Sequence, residues 1–246
     1  MTGTRVEIRT DDGVADAHLF RPEGERAWPA VIMYMDALGI RAGMCEMAGR
    51  LASNGYTVLL PNLYYRSEPL APFDAATVFG DDTERQRLMG LVQSLTQERV
   101  MRDTAAILDF LGTQPSVAGK EVGCVGYCMG GSFALTAAGT FPERVAAAAA
   151  FHAGRLAADR ADSPHLLAPK IRAQVYIGVA GIDPHFPEEE KGRLEAALKA
   201  AGVRYALEVY PDVKHGFAVP DLPVYDRDAS ERHWDRMLQL FRDTLS

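Results

Sequence analysis

Short hydrophobic runs alternate along the chain with longer segments in which hydrophobic residues recur at helical spacing. Eight runs predict β-strands: residues 6–9, 15–20, 30–35, 57–60, 122–126, 145–151, 174–179 and 204–210. The first two flank the turn sequence Asp11-Asp12-Gly13 and predict a hairpin. Longer segments separate the other six, as is typical of parallel strands joined by crossovers. The pattern predicts an α/β protein with a mostly parallel eight-stranded sheet and helices on both faces.

Helical periodicity covers residues 44–53, 83–111, 131–139, 187–201 and 229–245. Gly90 predicts a break inside the second of these segments, because glycine is a poor helix former. Residues 62–82 have little periodicity and predict a long surface excursion that could form the wall of a pocket. No repeat or linker divides the chain, so we expect one domain over residues 1–246.

Composition narrows the class of protein further. The chain is 48% hydrophobic and 24% charged, which is typical of soluble globular proteins. A net charge of −7 and a pI near 5.4 argue against nucleic-acid or anionic-membrane partners, so an anionic substrate would need a local Arg or Lys patch. The N-terminal residues lack the apolar core of a signal peptide, and no run reaches the ~18–20 apolar residues that span a bilayer.

Three cysteines form an odd, sparse set without the spacing of zinc ligands. Such a set favours reduced thiols, as in the cytoplasm, over a disulfide framework. We therefore expect a cytoplasmic protein with no metal. Composition leaves the choice between a monomer and a homodimer open.

One of these cysteines lies in a motif that predicts a catalytic nucleophile. Residues 126–131 read Gly-Tyr-Cys-Met-Gly-Gly and follow the apolar run 122–125. This is the spacing of a nucleophile elbow, a sharp strand-to-helix turn that exposes one side chain at the end of a sheet. Gly126 and Gly130 fit such a turn, since a β-carbon at either position would crowd the backbone. Cys128 is therefore the predicted nucleophile, and its thiolate would be the attacking species.

Two later motifs supply partners for this thiol. Asp183 and His215 each follow a predicted strand, and the chain order Cys, Asp, His is that of α/β-hydrolase triads. The carboxyl ends of parallel strands form the crevice in which ligands bind, so we expect the three side chains to meet there. The backbone amides of Met129 and Ala37 are the predicted oxyanion hole.

Five motifs together resemble the dienelactone hydrolase family. They lie at residues 61–64, 82–87, 126–131, 181–187 and 215–217, so the similarity runs over nearly the whole chain. The resemblance implies a three-layer α/β-hydrolase fold and hydrolysis of a small ester or lactone through a cysteine acyl-enzyme. It implies the triad Cys128, Asp183 and His215, no metal or organic cofactor, and a place in aromatic-compound degradation.

Two positions depart from the family pattern. A typical member has Glu, which pairs with the resting thiol, where this chain has Asp36. A typical member has Ser, which helps to bind a substrate carboxylate, where this chain has Gly216. We expect Asp36 to tune the thiol, and Arg87, with Arg85 second, to bind a carboxylate if the substrate carries one. Tyr64 is expected to line the pocket.

Alternatives remain open at this stage. The same triad could serve a broader carboxylesterase, a thioesterase or a dehalogenase, and the hydrolase fold could also belong to a non-catalytic binding protein. Asp36 could be a simple turn residue, and both arginines could lie on a solvated helix face. The pocket beside Cys128 and the partners of these charged groups distinguish the alternatives.

Overall fold

A computed structural model describes residues 3–67 and 69–245 of the protein. Its strands are β1 (Thr4–Thr10), β2 (Gly13–Phe20), β3 (Trp28–Tyr34), β4 (Thr57–Pro61), β5 (Val117–Tyr127), β6 (Val145–Phe151), β7 (Gln174–Ile182) and β8 (Tyr205–Lys214). They form one sheet in the order β1-β2-β4-β3-β5-β6-β7-β8. Strand β2 is antiparallel to β1 and β4, and the other neighbours are parallel. The predicted mostly parallel eight-stranded sheet and its opening hairpin are confirmed.

Six α-helices accompany the sheet in the described part of the chain. They are α1 (Ala42–Ser53), α2 (Asp82–Ser94), α3 (Gln97–Gly112), α4 (Met129–Thr140), α5 (Glu188–Ala200) and α6 (Arg227–Thr244). Helices cover both faces of the sheet, which confirms the predicted three-layer arrangement. Among the described residues, no helix combines the length and apolarity needed to cross a membrane.

The break between α2 and α3 does not lie at Gly90. That glycine stands inside α2, where an added β-carbon would meet no atom within 4 Å. A single glycine costs a helix only about 1 kcal/mol, which is too little to end it. The chain instead becomes extended at Leu95 and Thr96, and the Thr96 side chain caps α3 by accepting from the Arg99 amide. The prediction of a break at Gly90 was wrong because capping outweighs one weak residue.

The core lies against the central strands and holds α4 firmly in place. All of β4 and residues 30–34 of β3 are buried, as their unbroken apolar runs predict. Helix α4 packs against β5 and β6 and is buried along most of its length. Its side chains are mostly small, so the helix approaches the sheet closely, while Phe133 fills the remaining volume. The residue before α4 is therefore carried on a rigid element.

The carboxyl ends of five adjacent strands form one edge, on which the predicted site residues fall. Residues 35–41 follow β3, Cys128 follows β5, Asp183 follows β7, and His215 follows β8. The neighbouring strand β6, between β5 and β7, ends next to His152. The strand order thus places a histidine between the predicted nucleophile and the predicted acid.

Candidate active site

Cys128 lies at a strained elbow between β5 and α4. Its φ of 56° and ψ of −121° place a non-glycine residue in the left-handed half of backbone space, which few residues adopt without a functional reason. The Cys128 amide donates to the Phe151 carbonyl at 3.1 Å, and the Gly131 amide donates back to the Cys128 carbonyl at 3.1 Å. These bonds and the burial of α4 hold the strained conformation.

The two flanking glycines are required by close backbone approach. A β-carbon on Gly126 would lie 1.9 Å from the Gly130 carbonyl oxygen, and one on Gly130 would lie 2.5 Å from the Tyr34 carbonyl oxygen. Neither contact is possible without a shift of the main chain. The predicted need for glycine at both positions is confirmed by this geometry.

His215 and Asp183 form a short, largely buried pair. The His215 Nδ1–H donates to Asp183 Oδ2 at 2.7 Å, and the side chains are 21% and 1% exposed. Asp183 Oδ1 also accepts from the His185 amide at 2.9 Å, which fixes the orientation of the carboxylate. Burial alone would lower the pKa of His215, but hydrogen bonds to Asp183 and Cys128, together with their charges, raise it to about 10. Cys128, His215 and Asp183 are thus connected in the order that a triad needs.

The predicted oxyanion donors lie next to this triad and are tied together by one buried tyrosine. The Tyr64 hydroxyl donates to the Ala37 carbonyl at 2.8 Å and contacts the Met129 sulfur at 3.8 Å. In the described residues, no acceptor is assigned to the Ala37 or Met129 amide. Tyr64 was predicted to line the pocket, but the residue is only 2% exposed. Its hydrogen bond instead supports the loop that contains Ala37.

The family model for dienelactone hydrolases matches residues 15–245 of this sequence. The chain belongs to the dienelactone hydrolase family. A carboxymethylenebutenolidase from Pseudomonas sp. (strain P51) is 28% identical over 226 residues, which cover 92% of this chain and 89% of the relative.

Solved structures agree on the fold. A dienelactone hydrolase-like promiscuous phosphotriesterase from metagenomic libraries superposes with a TM-score of 0.80 at 23% identity, with full coverage of both chains. A dienelactone hydrolase from Anabaena variabilis gives 0.70 at 19% identity, also with full coverage. The α/β-hydrolase fold and membership of a hydrolase family are therefore confirmed.

Asp36 distinguishes this family member from the pattern that the resemblance implies. Its Oδ1 accepts from the Leu38 amide at 2.9 Å and from Arg41 at 2.6 Å, while Oδ2 accepts from Arg41 at 2.9 Å. Arg41 also donates to Asp221 at 2.9 Å, and Asp221 accepts from the Gly43 amide at 3.0 Å. Both oxygens of Asp36 therefore accept hydrogen bonds from Arg41, which orients the carboxylate.

This Asp36–Arg41–Asp221 network joins the two loops that carry catalytic candidates. Asp36 precedes the Ala37 amide, and Asp221 lies six positions after His215 in the sequence. The Asp36 side chain is 5% exposed and that of Arg41 is 12% exposed, so water screens their attraction poorly. The observed contacts favour a role for Asp36 in shaping the oxyanion loop. Its predicted tuning of the thiol stays a prediction.

The family's carboxylate-binding positions are altered or already engaged. The Arg87 guanidinium donates to Glu84 at 2.5 Å and to the Ala71 carbonyl at 2.9 Å, and lies 3.7 Å from the centre of the Phe73 ring. Arg85 pairs with another carboxylate of the same helix and is half exposed. Among the described residues, no hydrogen bond or ion pair joins either arginine to the triad. Substrate binding by Arg87 stays a prediction, and it would require these contacts to open.

Gly216 adopts a conformation that disfavours the family's serine. Its φ is 98°, and an added β-carbon would lie 2.9 Å from Leu222 Cδ1 and 3.0 Å from Val224 Cγ2. A side chain at this position would need both a strained backbone and a displaced neighbour. Position 216 therefore shapes the loop behind His215 and offers no side chain to a substrate.

Two histidines that the sequence pattern did not assign to the site contact His215. The centre of the His152 ring lies 5.2 Å, and that of the His185 ring 4.9 Å, from the centre of the His215 ring. Both contacts are edge to face. His152 is 1% exposed, has a φ of 38°, and neither ring nitrogen has a partner among the described residues. Burial, with the charges of neighbouring histidines, lowers the pKa of His152 well below its ordinary value, which keeps its ring neutral. The position of His152 directly after a strand was the only sequence signal for this contact.

Proposed function

We propose that the protein hydrolyses a small ester or lactone through a cysteine acyl-enzyme, with Cys128 as nucleophile. His215 transfers protons, Asp183 orients it, and the Ala37 and Met129 amides stabilise the oxyanion. The observation that carries this proposal is the connected arrangement of Cys128, His215 and Asp183, in which the His215–Asp183 bond is 2.7 Å long. A cysteine with only a packing role would not require a strained backbone elbow beside an oriented histidine.

Hydrogen bonds to Asp183 and Cys128 raise the pKa of His215 to about 10, which makes its ring a strong proton acceptor beside the thiol. In the proposed cycle His215 takes the Cys128 proton, and the thiolate is the attacking species. The His215 imidazolium that results is then the proton donor for the leaving group.

The chemistry follows from this proton transfer. The Cys128 thiolate adds to the carbonyl carbon, and the negative charge that forms on oxygen accepts hydrogen bonds from the Ala37 and Met129 amides. When the tetrahedral intermediate collapses, the C–O bond breaks and the imidazolium gives its proton to the leaving oxygen. The neutral His215 then takes a proton from water, whose oxygen attacks the thioester carbonyl. Collapse releases the acid and restores the thiolate–imidazolium pair.

Family membership and the arrangement of Cys128, His215 and Asp183 favour dienelactone-type lactones, with or without a carboxylate, as substrates. The second candidate is a broader carboxylesterase on the same residues. The engagement of Arg87 and the side-chain-free Gly216 favour it, since both reduce carboxylate recognition at those positions. The three unpaired thiols support our expectation of a reducing compartment such as the cytoplasm.

The covalent mechanism is tested with 4-nitrophenyl acetate and mass spectrometry. The parent should show a burst of nitrophenolate and an acetyl adduct on Cys128, and the Cys128→Ala variant should show neither while keeping its circular dichroism spectrum. Cys45→Ala is the matched control, because burial raises the pKa of the Cys45 thiol and makes it a poor nucleophile. Hydrolysis by Cys128→Ala at the parental rate would contradict the acyl-enzyme. A parent that hydrolyses no ester, with a Cys128 no more reactive to iodoacetamide than Cys45, would indicate a binding protein instead.

A further inference from the structure

We propose that His152 is a positioning residue whose uncharged ring holds His215 in place between its two triad partners and keeps water from its buried side. This inference rests on the proposed function, because His152 acts through the base of that same triad. His152 directly follows β6, and β6 lies between the strands that lead to Cys128 and Asp183. The topology therefore places His152 between the two partners of His215.

The His152 ring contacts both segments that must meet for catalysis. Its centre lies 5.2 Å from that of the His215 ring and 5.5 Å from that of the Phe217 ring, two positions later in the same loop. It also lies 5.9 Å from the centre of the Tyr127 ring, and Tyr127 directly precedes Cys128. One side chain thus joins the loop of the proposed base to the strand end that carries the proposed nucleophile.

The backbone of His152 is fixed in a conformation that few residues adopt. Its φ is 38°, and its amide donates to the Gly178 carbonyl of β7 at 2.8 Å. The carbonyl of Phe151, directly before it, accepts from the Cys128 amide at 3.1 Å. Strain of this kind persists only where the surrounding structure over-determines it. The place of the ring is therefore set by the same strands that position the triad.

The nitrogens of the His152 ring form no hydrogen bond in the described part of the chain. Both are buried without a partner, which costs the folded protein stability because their hydrogen bonds to water are lost. A proton relay through this ring would need a partner on its nitrogens. A buried polar group that is kept at such a cost calls for an explanation. The ring contacts supply one, in which His152 acts through its shape and its lack of charge.

A neutral group on the buried side is what the chemistry of His215 requires. His215 becomes an imidazolium when it takes the Cys128 proton, and a second cation with its ring centre 5.2 Å away would oppose that step. Burial keeps His152 uncharged. His185 contacts the same ring but is itself exposed, so it cannot exclude water. His152 is 1% exposed, and a dry contact on this side strengthens the bond between His215 and Asp183.

The test compares ring-free and ring-retaining substitutions of His152, with 4-nitrophenyl acetate as the substrate. His152→Asn removes the ring, and asparagine tolerates a positive φ. It should lower both the burst rate constant and kcat about tenfold or more, because a misplaced base slows each proton transfer. His152→Gln is a second ring-free variant with the same expected result. His152→Phe keeps an uncharged ring without nitrogens and should retain kcat within about threefold of the parental value.

The matched control is His233→Asn. His233 is as buried as His152, and its ring centre lies 5.8 Å from that of Tyr127 and 4.6 Å from that of Phe151. Among the described residues it makes no ring contact with His215. The control therefore disturbs the same part of the core without touching the base, and its kcat should stay within about twofold of the parental value. Circular dichroism checks the fold of every variant.

Proton NMR observes the pair of His215 and Asp183 without catalysis. The Nδ1 proton that His215 donates to Asp183 at 2.7 Å should give a downfield signal in the parent, assigned by its loss in Asp183→Asn. Exchange with water should broaden this signal in His152→Asn and His152→Gln. The signal should persist in His152→Phe and in His233→Asn.

The proposal is overturned if the ring-free variants keep the parental kcat or the parental proton signal. It is also overturned if His152→Phe loses as much kcat as His152→Asn, or if His233→Asn does. Where one of the two ring-free variants does not fold, the other decides, and the same two variants decide if His152→Phe does not fold. A parent that hydrolyses no ester overturns the proposed function itself, and the proton signal then decides whether His152 protects the pair of His215 and Asp183.

Discussion

Replacing Arg41 by methionine tests whether the Asp36–Arg41–Asp221 network holds the oxyanion loop. Methionine keeps much of the length and apolar surface of the arginine stem but cannot pair with Asp36. The Asp36 residue is 3% exposed, and it would keep only the Leu38 amide as a hydrogen-bond donor among its present side-chain partners. We expect a large loss of stability together with a loss of kcat/KM, because Ala37 lies in the same loop.

The magnitude follows from burial. Removing one partner of a buried ion pair costs about 3–5 kcal/mol, because the remaining charge is left unpaired. The contact of Arg41 with Asp221, whose side chain is 31% exposed, adds at most about 1 kcal/mol. We therefore expect Arg41→Met to lower the free energy of unfolding by about 3 kcal/mol or more. The matched control is Arg85→Met, which breaks a pair with 52% and 79% exposed side chains and should cost about 0–1 kcal/mol.

Urea unfolding followed by circular dichroism measures these costs, and an unchanged m-value ensures that they compare the same transition. Adding Asp36→Asn to Arg41→Met removes the unpaired charge and should recover a large part of the lost stability. Hydrolysis of 4-nitrophenyl acetate by the same variants reports the loop geometry. The reasoning is refuted if Arg41→Met is no more costly than Arg85→Met, or if Asp36→Asn worsens the Arg41→Met variant.

Two further predictions follow from the elbow and the triad. Gly126→Ala should prevent folding to a soluble native state, since its β-carbon would lie 1.9 Å from a carbonyl oxygen. The control Gly90→Ala should instead raise the free energy of unfolding by up to about 1 kcal/mol. Expression and urea unfolding compare the two variants, and a stable, active Gly126→Ala variant would contradict the geometry. The pKa of His215 is raised from 6.5 to about 10 in the folded protein, so its contribution to stability is fully present below about pH 6.5 and lost as the pH rises through 10. Asp183→Asn should flatten this alkaline loss in the difference between parent and variant unfolding curves, and parallel curves would contradict the pKa shift.

Much of the architecture was readable from periodicity. The unbroken apolar run at residues 30–35 predicted a buried strand of the parallel sheet, because a strand covered on both faces needs apolar residues at every position, and residues 30–34 of β3 are buried. The helix boundary at Leu95–Thr96 was missed, since a cap depends on whether the Thr96 oxygen meets the Arg99 amide. The cap depends only on neighbouring residues, but Gly90 was the stronger sequence indication of a helix break.

The candidate site was also only partly predictable from the sequence. The elbow, the acid and the histidine each follow a strand, so sheet topology alone brought Cys128, Asp183 and His215 to one edge. The assignments that need side-chain partners did not follow from the pattern. The Tyr64 hydroxyl donates to the Ala37 carbonyl and so supports that loop, and Asp36 is paired with Arg41.

The sequence by itself determined that a cysteine stands at a strand-to-helix turn of a parallel sheet, because glycine spacing and apolar runs act over a few residues. Only the tertiary structure decided which charges meet. Arg41 is paired with Asp221 across 180 positions, and Arg87 is engaged by its own helix. Ion pairs and hydrogen bonds reach only a few ångströms. Their partners are therefore determined by how distant segments pack, and a local sequence pattern does not contain that information.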